Sequence, residues 1–252
     1  NLSEADTINI VLSDSQNYSG APSSNEQISA DYSIFSNINE IIDNDPSDED
    51  TLTVITNEDI IDTPTVEGIE TLVFKTSNNY TDLDNSFSID LEKFSSFKEI
   101  ILSKNDESLS IQNLELNSAT GNIIADHGFL NIAITGISGE HVELQVKEDA
   151  SVQVDTDVQN LVVNGTGKSI NLDTSNQGNI EILDNSSVVL NAPNSIGDLK
   201  LTSNGNVEIT DASSLLGNAI ISAIGTVVIN NISALEGKLT VENIRGPTGA
   251  DV

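Results

Sequence analysis

The sequence predicts an all-β protein: a parallel β-solenoid (β-helix) with about 20 residues per coil, preceded by a looser, acidic, loop-rich β region. Three observations carry this. Glycines recur at a nearly constant step, at Gly178, Gly197, Gly217 and Gly237, and each opens a strand of the form Gly-x-apolar-x-apolar. Between them lies a second set, Val188-Val-Leu, Val207-Glu-Ile and Val227-Val-Ile, so two strands fall in every repeat. Asn191, Asp211 and Asn231 each stand at the same distance before the next repeat glycine, and stacked coils would gather them into one polar column beside an apolar column of Ala192, Ala212 and Ile232. A short strand buries alternate side chains only, and a two-strand unit cannot close a core alone, so the units must stack. A β-sandwich with evenly spaced strands is the competing architecture. The fixed glycine period favours the solenoid.

Residues 1–105 form the looser region. Asp6-Thr-Ile-Asn-Ile-Val-Leu12 alternates as a strand, and residues 13–28 read as a Ser/Asn/Gly/Pro-rich loop. Phe35–Ile42, Val66–Val73 and Phe94–Ile101 share an apolar residue, two spacers, an apolar residue and a strand carrying a Glu. Aligned on Ile38, Ile69 and Phe97, they imply coils that are longer and less regular than those of the glycine period. One short helix is expected between Leu83 and Leu102. Residues 106–246 form the regular solenoid, with apolar triplets starting at Ile132, Val142, Val152, Leu161, Ile170 and Ile180. Residues 247–252 read as the start of a linker or of a following segment. The first residue is not Met, and the chain is read as a piece of a longer one.

Composition narrows the function. Hydrophobic residues make up 37% of the chain and aromatic ones 4%, so the core is built from small aliphatic side chains, which suits a narrow solenoid interior. Nine Lys and Arg stand against 40 Asp and Glu, for a formal net charge of -31. A basic patch for nucleic acid or for an anionic membrane surface is excluded, and no run of 18 apolar residues suggests membrane insertion. So acidic a chain repels itself unless cations condense on it. There is no cysteine, hence no disulfide, thiol chemistry or zinc-thiolate site.

The densest carboxylate cluster is Asp43-Asn-Asp-Pro-Ser-Asp-Glu-Asp50, which holds five acids and runs straight into a strand. Calcium takes six to eight oxygen ligands, and acids at near-alternate positions of a tight loop can converge on one ion. The candidate Ca2+ ligands are Asp43, Asp45, Asp48 and Asp50, with weaker candidates Asp59 and Asp62, and Asp82 and Asp84. A solvated acidic loop is the plain alternative. No catalytic constellation is evident. His127 and His141 stand well apart in sequence without an accompanying nucleophile motif, and among so many acids no glycosidase-like pair stands out.

Asp50-Thr-Leu-Thr-Val54, followed by Val66-Glu-Gly-Ile-Glu-Thr-Leu72, resembles the D-T-L-x-V and N/G-I-E-x-L pieces of bacterial surface-layer (S-layer) proteins related to the RTX group, and Asp6-Thr-Ile-Asn-Ile10 looks like an earlier copy. The resemblance covers residues 1–110 in motif and the rest only in style. It implies a secreted, Gram-negative cell-surface protein, exported by a type I system, calcium-dependent and self-associating into a two-dimensional lattice. Attachment to cell-surface polysaccharide or lipopolysaccharide would use a region outside this segment. One departure stands out. The family's calcium turns read G-G-x-G-x-D, whereas this chain has Asn44-Asp-Pro-Ser-Asp-Glu49, with Pro46 where backbone freedom is expected. A solenoid polysaccharide lyase or hydrolase is the enzymatic alternative. It is weakened by Arg245 being the only arginine, because such lyases often need a basic residue in the groove. A surface adhesin is a third reading.

Overall fold

The computed structural model describes residues 7–14, 16–20, 24–45, 48–77, 86–95, 97–104, 111–117, 121–126, 129–137, 141–156 and 158–243. The chain is a parallel β-solenoid of about nine turns, roughly 20 residues apart. It divides into two compact units, residues 1–129 and 130–252. No described helix is long and apolar enough to cross a membrane.

In the first unit, Thr7–Val11, Asn25–Asp31, Thr51–Thr56, Thr71–Thr76 and Glu99–Lys104 stack in parallel, followed by Gly121–Ala125. Gln27 stands opposite Thr51, Thr51 opposite Thr71, and Thr71 opposite Glu99, so successive coils differ in length and the one from Thr51 to Thr71 is the shortest of these three. A second stack holds Tyr18–Ser19, Glu40–Ile42 and Thr65–Glu67. The strands alternate: Ile28 and Ala30, Leu52 and Val54, and Leu72 and Phe74 point inward and are buried. The longer coils enclose more space, and aromatic rings fill it. Phe35 stacks on Phe94 at 6.2 Å, and Phe74 meets Phe94 edge-on at 6.0 Å. All six phenylalanines of the chain lie before residue 130.

Four expectations are corrected in this unit. Residues 13–28, expected as a loop, hold the strand Tyr18–Ser19 and the start of the strand Asn25–Asp31. Of the two steps in the three-fold motif, the second stands, since Val66 bridges to Phe94 and Leu72 pairs with Ile100, but in the first Ile41 pairs with Val66 and not with Leu72. The Phe35–Ile42 segment misaligns because Tyr32–Phe35 is a helical turn and only Glu40–Ile42 is strand. The expected helix between Leu83 and Leu102 is replaced, in its described part, by the strands Ser86–Asp90 and Glu99–Lys104. Finally, Thr7 pairs with Asn25 while Gln27 pairs with Thr51, so Thr7-Ile is two residues out of step with Thr51-Leu.

The second unit follows the glycine period. Ile180, Leu199, Ala219 and Leu239 stack in one column, and Val188, Val207 and Val227 in another. Asn191 lies opposite Asp211, Ala192 opposite Ala212, and Ala212 opposite Ile232, as the spacing predicts. The polar column is a hydrogen-bonded ladder in which Asn191 Nδ2 donates to Asp173 Oδ1 at 3.1 Å and Asn231 Nδ2 to Asp211 Oδ1 at 3.0 Å. Amide alternates with carboxylate, so no two charges are neighbours along it. The apolar triplet at Ile170 is displaced by two residues, since Ile170 faces Ala150 and Val152 faces Leu172. Glycine is required at the coil corner because successive backbones approach closely: a Cβ at Gly217 would come within 2.9 Å of the Gly197 carbonyl carbon.

Candidate metal centre

In the first unit each coil closes beside the start of the next, and the acids collect along this seam. Glu26, Asp50 and Glu70 each stand two residues before the first inward apolar residue of their strands, Ile28, Leu52 and Leu72. They therefore share the inward parity of the core, one acid per coil. The three are tied in sequence: the Glu26 amide donates to Asp50 Oδ1 at 2.7 Å, and the Asp50 amide to Glu70 Oε2 at 3.0 Å. A carboxylate that accepts a backbone N–H makes one of the stronger hydrogen bonds available to a coil corner.

Asp43 comes from the other side of the seam, where the preceding coil ends. Its amide donates to the Glu67 carbonyl at 2.9 Å, and Oδ2 accepts the Asp45 amide at 2.5 Å. The positions beside it in neighbouring coils are Gly20 and Gly68. A Cβ on Gly20 would overlap the Asp43 carboxylate and lie 2.7 Å from Glu26 Oε2, and Gly68 has φ +73° and is placed where a Cβ would overlap the Asp43 carbonyl. Glycine thus leaves the room in which Asp43 sits. Asp48 completes the cluster.

All five acids are buried: Glu26 and Asp50 are 0% exposed, Glu70 4%, Asp43 5% and Asp48 7%. Asp43 Oδ1, Asp50 Oδ2 and both Asp48 oxygens have no hydrogen-bond partner. Burying an ionised carboxylate without a compensating partner is costly, so these oxygens call for a proton or a cation. The protonation equilibria respond accordingly. Burial pushes the Asp50 carboxyl up to about 7; the hydrogen bond from the Glu26 amide opposes the rise, and the charges of Asp48, Glu26 and Asp43 add to it. Burial, then the charge of Asp43, also raises Asp48. The Tyr18 phenol is held far above its usual range by burial and by Glu26, to which it hydrogen-bonds.

Carboxylate oxygens of Glu26, Asp43 and Asp50 lie within 4.8 Å of one another, as do those of Asp48, Asp50 and Glu70. Oxygens bound to calcium at about 2.3–2.6 Å can stand up to about 5 Å apart across the ion, so both groups have the span of a calcium coordination sphere. The donors are all hard oxygens, which suits calcium and not a thiolate- or imidazole-seeking metal.

Of the residues singled out in the sequence, the fold brings Asp43, Asp48 and Asp50 together. Asp45 contributes its backbone amide to Asp43 and its side chain is not in either group. Asp59 accepts the Ser88 amide at 2.8 Å, and Asp62 is exposed; neither joins the cluster. Asp82 and Asp84 lie outside the described residues, as does His127. Glu26 and Glu70 were not singled out. Their signal was the acid standing on the inward parity of Glu-x-Ile-x-Ala and Glu-x-Leu-x-Phe, repeated in register with Asp-x-Leu-x-Val. No family model, curated protein or solved structure matches the chain.

Proposed function

We propose that the chain is part of a structural protein of a bacterial cell-surface lattice, of the surface-layer kind, whose first unit is set by calcium. The observation that carries this reading is the seam of five buried carboxylates, with unpartnered oxygens on Asp43, Asp48 and Asp50, in a chain of net charge -31. Two of the five, Asp50 and Glu70, belong to the very pieces that resemble surface-layer sequences, Asp50-Thr-Leu and Glu70-Thr-Leu. Extracellular sites bind calcium with Kd on the order of 10⁻⁴ to 10⁻³ M, so such a seam is filled outside the cell and empty in the cytosol. Empty, its charges resist closure of the coils. Filled, they become the link between coils, and a ligand bound only by the folded form stabilises it by about 2.7 kcal/mol at a hundredfold excess over Kd.

The partners are further copies of the protein. Polysaccharide or lipopolysaccharide would be met through a region outside this segment, after type I export to a Gram-negative surface. No catalytic step belongs to this reading. A surface adhesin is the second reading, favoured by an open polar groove of about 430 Å³ beside the acid column, lined among others by Asn25, Gln27, Thr51, Thr71, Lys98 and Asn122.

The test is electron microscopy and light scattering of the protein in calcium and in chelator, with a variant carrying Asp43→Asn, Asp48→Asn and Asp50→Asn. Ordered arrays in calcium for the parent, absent in chelator and in the variant, are the expected result. Arrays indifferent to calcium would remove the ion from the mechanism, and a monodisperse monomer under all conditions would remove the lattice.

A further inference from the structure

The seam contains two groups of ligands, and they share one residue. Glu26, Asp43 and Asp50 form the first, and Asp48, Asp50 and Glu70 the second. Glu26, Asp50 and Glu70 belong to three successive coils, so the first group lies at the step from the Glu26 coil to the Asp50 coil and the second at the step from Asp50 to Glu70. Asp50, on the middle coil, is the one acid common to both. From this placement, and resting on the calcium reading above, we infer that the seam is a binuclear site: one divalent cation bound by Glu26, Asp43 and Asp50, a second by Asp48, Asp50 and Glu70, with the Asp50 carboxylate as the bridge.

Charge and hydrogen bonding both favour a second ion. Five carboxyl groups are buried together; once cations have displaced their protons, one divalent ion would leave three negative charges uncompensated and two would leave one. At the first position, Asp43 Oδ1 has no hydrogen-bond partner; at the second, both Asp48 oxygens have none; and Asp50, the residue common to both, has an unpartnered Oδ2. A single ion at either position would leave unpartnered carboxylate oxygens at the other, where burial makes them costly. Stacked strands are about 4.8 Å apart, so ions at consecutive steps stand close to the roughly 3.5–4 Å separation of carboxylate-bridged metal pairs. Calcium is the fitting ion, since it accepts many carboxylate oxygens in irregular geometry, whereas magnesium holds its waters.

The experiment counts ions and asks which residues hold each. Chain stripped with chelator is titrated with calcium by calorimetry, and the ions retained are counted by native mass spectrometry. The expected result is two retained ions in the parent, one in Glu26→Gln, one in Glu70→Gln and none in Asp50→Asn. A parent with one retained ion, or two glutamine variants that each keep both, overturns the binuclear site but leaves a calcium-set fold standing. A parent with no retained ion overturns the calcium reading as well. Because Asp50→Asn can fail to fold, Mn2+ is also added to the unmodified parent at two equivalents and followed by electron paramagnetic resonance. A spin-coupled pair spectrum supports the bridge, and the six-line spectrum of isolated ions overturns it.

Discussion

Both units stack parallel strands into coils, irregular in length in the first and regular in the second, and they differ in what they place at the buried polar positions. Among the described residues of 130–252 these positions hold Thr174, Asn176, Asn185 and Ser203, all neutral. Asn176 accepts the Val158 amide through Oδ1 at 3.1 Å, and Asn185 Nδ2 donates to the Thr202 carbonyl at 2.8 Å, which leaves one neutral oxygen, Asn185 Oδ1, without a partner and no buried charge among these four residues. In residues 1–129 they include Glu26, Asp43, Asp48, Asp50 and Glu70. A carboxylate accepts hydrogen bonds but donates none, so a stack of carboxylates cannot satisfy itself, and the oxygens that no amide reaches are left for protons or cations. Neutral side chains at these positions need no counter-charge, whereas the carboxylates of the first unit would be closed by the proposed ions. The choice is made by exchanging Asn for Asp or Glu on the inward parity.

The comparison breaks most visibly if the interior of the second unit is charged. Val207 is 1% exposed and stacks between Val188 and Val227, so Val207→Asp buries an uncompensated carboxylate and should cost on the order of 3–5 kcal/mol, with or without calcium. Val227, one coil later, is only half-buried, and Val227→Asp should cost visibly less. Chemical denaturation of both variants checks this. A parent-like Val207→Asp would contradict the register.

Next in size is Asp50→Asn. With calcium a hundredfold above Kd, the parent should gain about 2.7 kcal/mol from the ion and the variant much less. In calcium-free buffer above pH about 7, where Asp50 has lost its proton, the order should reverse, because the amide removes a buried charge repelled by Asp48, Glu26 and Asp43. Melting curves in the two buffers show whether the crossing occurs.

The pH response sharpens the same point. Without calcium, folded Asp50 keeps its proton up to about 7, while the unfolded group ionises near 4. The folded state then binds more protons between those values, so stability falls as pH rises from about 4 to about 7 and levels off above. Asp48, also raised, adds the same sign. With saturating calcium the slope should invert, since protons compete with the ion for the carboxylates. Melting temperatures across that range in the two conditions would refute the account if they ran parallel.

The smallest effect belongs to the outer ladder. Asn231→Asp sets a second carboxylate beside Asp211 in place of the 3.0 Å hydrogen bond. It should cost roughly 0.5–1 kcal/mol, less at high salt, in either calcium condition.

The second unit was legible because its repeat is fixed. Once Gly197, Gly217 and Gly237 set the period, Asn191 and Asp211, Ala212 and Ile232, and Val207 and Val227 fell into their columns. The first unit was less so. Its coils change length from one to the next because they carry different insertions, so no single period aligns Ile41 with Val66. The cluster was half legible for a related reason. Density along the chain found Asp43, Asp48 and Asp50 but also drew in Asp45, whose side chain joins neither ligand group. Glu26 and Glu70 come to Asp50 through strand pairing, each across a whole coil, and only the inward parity marks them.

On the proposed function, divalent ions close the coils of the first unit and are not needed to close those of the second. Amide hydrogen exchange in calcium and in chelator, resolved by peptide, tests it most directly. Protection should fall in chelator across Asn25–Asp31, Thr51–Thr56 and Thr71–Thr76 and stay unchanged across Asn179–Ile196 and Leu199–Ser203. Equal protection in both buffers at the first three strands, or an equal loss in both units, would contradict it.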